Sequence, residues 1–228
     1  EADIDAGMKR TAARPLPAGR MNRTDARDFG VLISAASVMI MGLAVNWLSA
    51  TILALSIFYY AVIYTVWLKP RTPQNIVIGG GAGAFPPMIG WVAVTGDITL
   101  MPVLLFLIIF MWTPPHFWAL AIHRKAEYAK VNVPMLPVTH GEHYTKVHIL
   151  LYTAVLLAVS FMPFAIHMSG PLYLAAAVLL GARFLFWAIV LYRDSRPHAA
   201  IKTFKFSIWY LFALFIALLV DHYLLLDF

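Results

Sequence analysis

Seven runs of apolar residues follow one another along the chain, at about 29–46, 48–68, 76–95, 99–122, 147–167, 171–192 and 204–224. A hydrocarbon core of about 30 Å takes about 20 helical residues to cross, so each run is long enough to span it. One such run would also suit a buried helix of a water-soluble core, but seven in succession leave little polar surface for water to wet. The sustained two-residue alternation of a membrane barrel does not occur, and outside a barrel a backbone in lipid must satisfy its hydrogen bonds within helices. The pattern predicts an all-α polytopic membrane protein, with residues 1–228 forming a single transmembrane helix bundle.

Composition sharpens this picture. The chain is 61% hydrophobic and 12% charged, against roughly a quarter charged in a soluble domain. It holds no cysteine, which excludes a disulfide framework and a thiolate metal site. Its net charge of +6 is not the mark of a nucleic-acid partner, because the basic residues fall in short loops between apolar runs. Lys9, Arg10, Arg14, Arg20, Arg23 and Arg27 precede the first run; Lys69 and Arg71 follow the second; Arg124, Lys125, Lys130 and Lys146 follow the fourth; Arg193, Arg196, Lys202 and Lys205 follow the sixth. The alternate connections, Asn46–Ser49, Thr95–Asp97 and His167–Gly170, contain none. Sixteen of the seventeen Lys and Arg residues thus lie on one side, Arg183 inside the sixth run being the exception. The positive-inside rule makes that side cytoplasmic.

The third and fourth runs carry irregular features. The third contains Gly79-Gly80-Gly81-Ala82-Gly83 and then Pro86-Pro87. Its G-x-x-x-G spacing suits close helix packing, and equally a thinned wall beside a large flat ligand. The fourth ends in Trp112-Thr113-Pro114-Pro115-His116-Phe117-Trp118, where two prolines are expected to break the helix.

Three polar clusters are candidates for chemistry. In the first, Glu1 and Asp5 are four apart and share one face if helical; such carboxylates are hard oxygen ligands suited to magnesium, which keeps substrate phosphates in its shell. Arg10 and Arg14 are likewise four apart, with fork geometry for phosphate oxygens. A solvated loop with topology-setting charges is the plainer account. The second cluster, Lys69-Pro70-Arg71-Thr72-Pro73-Gln74-Asn75, reads by itself as an ordinary positive loop. In the third, His116 sits among aromatic residues shortly before Arg124, Lys125 and Glu127; it is either a hydrogen-bonded structural residue or an imidazole ligand for the iron of a flat aromatic molecule. His140, His143 and His148 lack zinc-site spacing and read as solvated.

Taken together, these motifs resemble those of a known family. Asp3-Ile4-Asp5-Ala6-Gly7-Met8-Lys9-Arg10-Thr11-Ala12-Ala13-Arg14-Pro15 is similar to the first acidic motif of the heme O synthases (protoheme IX farnesyltransferases), a branch of the UbiA superfamily of intramembrane prenyltransferases. The likeness continues, in order, through Trp67-Leu68-Lys69, Arg71-Thr72-Pro73-Gln74-Asn75, Pro86-Pro87, Trp112 to Ala121, Glu127-Tyr128 and Val133-Pro134-Met135-Leu136-Pro137-Val138.

The resemblance implies a UbiA-type bundle of nine spans, of which about seven are present here. The chain would then be a fragment lacking the first two spans and an asparagine four residues before Glu1. It also implies an enzyme that joins farnesyl diphosphate to heme b, with water addition, to make heme O. Magnesium would sit on Glu1 and Asp5, with Glu127 the acidic residue where other members of the superfamily carry a second acidic motif. Arg10, Arg14, Lys69, Arg71, Arg124 and Lys125 would bind diphosphate, His116 would bind or orient the heme, and Tyr60, Tyr64 and Trp112 would shield cationic intermediates. The implied setting is a bacterial inner membrane with the site facing the cytoplasm and a heme A synthase downstream. Two other readings are a UbiA-type prenyltransferase for an aromatic quinone precursor, which would have no use for an iron ligand, and a transporter or assembly factor.

Overall fold

The computed structural model describes residues 2–9, 11–131, 133–194, 196 and 198–224. Among them the regular elements are helical: α1 (Ala2–Ala6), α2 (Arg23–Ala44), α3 (Trp47–Phe58), a π-helix (Tyr59–Leu68), α4 (Asn75–Thr95), α5 (Leu100–His123), α6 (Lys125–Lys130), α7 (Leu136–Thr139), α8 (Glu142–Ala165), α9 (Pro171–Tyr192) and α10 (Ala199–Leu224). Seven helical stretches are long and apolar enough to cross a membrane, α3 and the π-helix together forming one of them. The chain is an integral membrane protein.

Residues Glu1–Ile98 and Arg124–Met135 form one compact unit. Here α3 packs on α2 and α4, and the π-helix on α4. Asn46 caps α3 by accepting from the Ser49 N–H at 2.8 Å, and its Nδ2 donates to the Val92 carbonyl at 3.0 Å, tying the start of α3 to the last turns of α4. Gly96, at φ 70°, ends α4 in the left-handed conformation that glycine adopts without cost. The glycine run of α4 receives tyrosines from the π-helix and its approach. A Cβ on Gly79 would collide with the Tyr64 ring, and Tyr59 donates its hydroxyl proton to the Ile78 carbonyl at 2.7 Å. Gly79 and Gly81 therefore seat protein side chains, as close helix packing predicts. Gly83 meets nothing within 4 Å.

The second unit comprises Thr99–His123 and Leu136–Phe228. In it α8 packs on α5 and α9, and α10 on α5 and α9, as a four-helix bundle. Its core is Ile108, Leu156, Tyr173, Ala177, Phe184, Tyr210 and Leu214. Polar groups inside it are paired, as burial demands: Ser160 Oγ and the Tyr210 hydroxyl lie 2.7 Å apart, and Tyr173 donates to the Ser160 carbonyl at 2.8 Å.

Two expectations change. The helix does not break at Pro114-Pro115, because α5 continues through both to His123. The prolines remove two N–H donors, but Thr113, Pro114, Pro115, His116 and Trp118 are buried and held against neighbouring helices, so packing outweighs the lost bonds. The irregular backbone lies instead in the second span, where ten residues widen into a π-helix. Thr65 donates its hydroxyl to the Tyr60 carbonyl at 2.8 Å, five residues back. The helices also start earlier than the apolar runs, at Arg23, Glu142 and Ala199, since long charged side chains can lie along a helix and keep their heads in water.

Candidate functional site

The first unit gathers most of the residues singled out in the sequence. Asp5 lies in the single turn of α1, and its Oδ2 accepts from Arg14 at 2.9 Å. The Asp5 side chain keeps 14% of its surface and Arg14 keeps 52%, so the pair sits at a surface with the carboxylate turned inward. Thr11, itself buried, donates its hydroxyl to the Asp5 carbonyl at 2.9 Å, and Met8 is buried beside it. These two anchors fold the motif back on itself and make the nine-residue separation between Asp5 and Arg14 a contact.

Gly7 brings in the second piece. A Cβ there would come within 2.5 Å of Val131 Cγ1, so only glycine lets the motif close on the segment that follows α6. The helix before it, α6, is preceded by Arg124, whose Nη1 lies 3.5 Å from Glu127 Oε2. Arg124 Nε is buried without a hydrogen-bond partner, as is Oδ1 of the fully buried Asn75. Asn75 donates through Nδ2 to the Lys69 carbonyl at 3.3 Å and so braces the turn carrying Lys69 and the exposed Arg71. Asn75 belongs to the matched motif, but a neutral amide among charges gave no reason to single it out. Glu1 and Arg10 lie outside the described residues.

Asp3 has a different role. Arg23 donates to it through both Nη atoms, Nη1 to Oδ2 at 3.2 Å, and this bond together with the guanidinium charge holds the Asp3 carboxyl below its ordinary value. It clasps the motif to the head of α2.

Of the carboxylates expected to hold magnesium, Asp5 and Glu127 are described. Asp5 Oδ2 is engaged by Arg14, while Oδ1 has no donor among the described residues. No group of three His, Asp or Glu converges among the described residues. One or two carboxylates completed by phosphate oxygens is the usual arrangement for this ion.

His116 belongs to the second unit. Its ring is stacked between Trp112, at 4.1 Å centroid to centroid, and Phe204, at 4.6 Å, with Phe117 edge-on at 5.0 Å. The aromatic residues expected to face a flat ligand cover the histidine itself, and Trp112 donates its indole N–H to the Ser207 carbonyl at 2.7 Å. Trp118 instead packs edge-on against His148 and Tyr152. His148 is accordingly half-buried rather than solvated, with Nδ1 2.9 Å from the Tyr144 carbonyl; His140 and His143 are exposed.

His116 Nδ1 is 2.6 Å from Ser207 Oγ, and Ser207 donates its one hydroxyl proton to the Phe204 carbonyl at 2.6 Å. With that proton on the carbonyl the serine accepts at His116 and Nδ1 carries the ring proton, a tautomer assigned from the bonding pattern. In the neutral ring Nε2 is left with its lone pair, as a metal-ligating histidine requires. Ser207 stands 91 residues from His116, and no spacing in the sequence links them. Both faces of the ring are covered, so a ligand can meet it only edge-on. Tyr60 and Tyr64 lie 5.7 Å apart in the other unit, with Tyr60 exposed and Tyr64 filling the space above Gly79.

The sequence model of the UbiA prenyltransferase family matches residues 1–219. A protoheme IX farnesyltransferase of Stutzerimonas stutzeri (strain A1501) is 72% identical over all 228 residues, which cover 76% of that relative. The protein of the same name from Ectopseudomonas mendocina (strain ymp) is 67% identical over 224 residues, 98% of this chain and 75% of the relative. Among solved structures, one described for digeranylgeranylglyceryl phosphate synthase in membranes aligns with a TM-score of 0.76 at 21% identity, covering 96% of this chain and 77% of that one. At that identity the likeness concerns the fold alone.

Proposed function

The chain belongs to the UbiA prenyltransferase family, and on that premise we propose that it farnesylates heme b, joining the farnesyl group of farnesyl diphosphate to a heme vinyl group to give heme O. The observation that carries the choice of acceptor is the 72% identity, over the whole chain, to a protein named protoheme IX farnesyltransferase.

The chemistry asks for two things: a leaving diphosphate must be stabilised, and an allylic cation must meet the vinyl group before it meets water. The carbon–oxygen bond of the diphosphate ester breaks with its electron pair leaving on oxygen. Arg14, together with Arg10, Lys69, Arg71, Arg124 and Lys125, donates to the phosphate oxygens and opposes that growing charge. Arg14 is already oriented by Asp5 and still half-exposed, so it meets the substrate without a large search. Asp5, with Glu1 and Glu127, would hold magnesium against the diphosphate, and the bound ion supplies further charge neutralisation.

The vinyl π electrons then bond to the farnesyl carbon, which leaves the positive charge on the vinyl carbon next to the porphyrin. Water adds there and loses a proton, completing a hydroxyethylfarnesyl side chain. Tyr60, exposed in the first unit, would shield such cationic species with its ring. His116, protonated at Nδ1 by its bond to Ser207, offers Nε2 to the heme iron. The diphosphate end of the site faces the cytoplasm of a bacterial inner membrane, the prenyl tail lies among the spans, and a heme A synthase takes the product.

Incubation of the full-length protein with heme b, farnesyl diphosphate and magnesium, followed by mass analysis of the extracted heme, tests this reading. A heme enlarged by one farnesyl group and one hydroxyl is expected. Prenylation of a hydroxybenzoate with heme b left untouched would overturn it.

A further inference from the structure

Arg183 is the one arginine that lies inside an apolar run, nine residues before the end of α9 and therefore about 13 Å along the helix axis from it. It is exposed on the surface of its unit. A charged side chain facing lipid at such a depth is costly and is normally found reaching toward the interface or paired. The guanidinium lies 5.0 Å from the centre of the Phe186 ring and 5.4 Å from that of Trp187. Two further cations converge on the same rings. Arg196, from the connection after α9, lies 5.3 Å from Phe186, and Lys202, in the first turn of α10, lies 5.8 Å from Trp187.

Three like charges around two touching rings repel one another, and cation–π attraction offsets only part of that. Among the described residues no carboxylate pairs with any of the three, and nearby Asp194 is engaged, both its oxygens being 2.6 Å from Lys146 Nζ. Below Arg183 on the same helix face lie exposed Leu179, one turn away, and Leu172, about two turns further. The surface therefore offers a cluster of cations at one end of the span with an apolar track leading from it into the membrane.

We propose that Arg183, Arg196 and Lys202 form a binding site for the headgroup of an anionic phospholipid, its phosphate among the three cations and an acyl chain along Leu179 and Leu172. A phospholipid is the occupant that matches both halves, since it carries oxygen-borne negative charge at headgroup level and hydrocarbon below. A soluble phosphate compound would answer the cations only.

The test uses the full-length protein in nanodiscs of phosphatidylcholine with phosphatidylglycerol, followed by native mass spectrometry of the lipids retained on release. The wild type is expected to keep phosphatidylglycerol in preference to phosphatidylcholine. Each Gln substitution at Arg183, Arg196 or Lys202 is expected to cut that preference about fivefold, and the triple variant about a hundredfold, at the usual worth of one basic residue near an anionic surface. A charge-matched control, Arg27→Gln with Arg193→Gln and Lys205→Gln, is expected to retain it. Should the triple variant fail to fold, Arg196→Gln alone, in an exposed connection, decides. Equal retention of both lipids by the wild type, an unchanged preference in Arg196→Gln and the triple variant, or displacement of the lipid by inorganic phosphate would each overturn the site.

Discussion

Replacing Ser207 by alanine tests the proposed role of His116 in holding heme. The substitution removes the acceptor 2.6 Å from His116 Nδ1 while leaving the neighbouring rings in place. An orphaned buried N–H costs about 1–3 kcal/mol. The imidazole cannot swing away to find a new partner, because Trp112 at 4.1 Å and Phe204 at 4.6 Å cover its two faces. Two responses remain within the plane of the ring: it turns over, or its proton moves to Nε2. Either takes the lone pair away from the direction in which Nε2 now offers it. Loss of such a supporting bond usually weakens metal binding 10- to 100-fold, and the same loss is expected for heme b in a spectrophotometric titration of Ser207→Ala. Ser207→Thr keeps the hydroxyl and is expected to recover most of the affinity. Nitrogen NMR of histidine-labelled protein reads the tautomer directly, with Nδ1 protonated in the wild type and a mixture in Ser207→Ala. An Nε2-protonated His116 in the wild type, or an unchanged heme affinity in Ser207→Ala, would refute the reasoning.

Other outcomes follow from the same structure. Asp5→Asn and Arg14→Gln are each expected to lower farnesyl transfer by about 10²–10³-fold, the usual cost of losing one charge-stabilising group, with the thermal midpoint little changed; full activity in either would remove the pair from the mechanism. Gly79→Ala forces a methyl into the Tyr64 ring and is expected to destabilise by about 1–3 kcal/mol. Gly83→Ala, with open space around it, is expected to be neutral or to stabilise by up to about 1 kcal/mol, so equal melting shifts in detergent would contradict the seating of Tyr64. Asp221, on α10, accepts from Ser169 Oγ at 2.6 Å, from the Tyr173 N–H at 3.0 Å and from the Gly170 N–H. Asp221→Ala strands three donors at the head of α9 and is expected to cost about 1–3 kcal/mol, against a smaller loss for Asp221→Asn, read as midpoints of thermal unfolding.

Much of this was legible in the sequence because the bilayer imposes it. Span number follows from hydropathy, and the candidate diphosphate residues stand close together in a few short motifs. What stayed hidden depends on contacts across long separations or on backbone detail. The prolines at 114 and 115 suggested a break, but a buried double proline is tolerated where neighbouring helices hold the chain, and local propensity carries no record of those neighbours. The π-helix at Tyr59–Leu68 leaves no mark in the composition, since its residues suit an α-helix equally well. The aromatic residues around His116 were visible as a group, but which of them cover the imidazole was set by α10, which supplies Phe204 and Ser207. Gly7 reads as one small residue in a motif, since Val131, which lies against it, is 124 residues away in sequence.

The four-helix unit carrying His116 is latched at several levels. Asp221 holds the head of α9, Lys146 and Asp194 join α8 to the connection after α9, and Ser160 links Tyr173 and Tyr210 between them. A frame fastened at several heights has few soft modes, so the imidazole it carries keeps one orientation whether or not an acceptor is present. If His116 holds heme as proposed, little rotational entropy is left to lose when the porphyrin docks. Affinity at this site should accordingly depend weakly on temperature-driven loosening of the helices until one of those latches fails, and then fall abruptly.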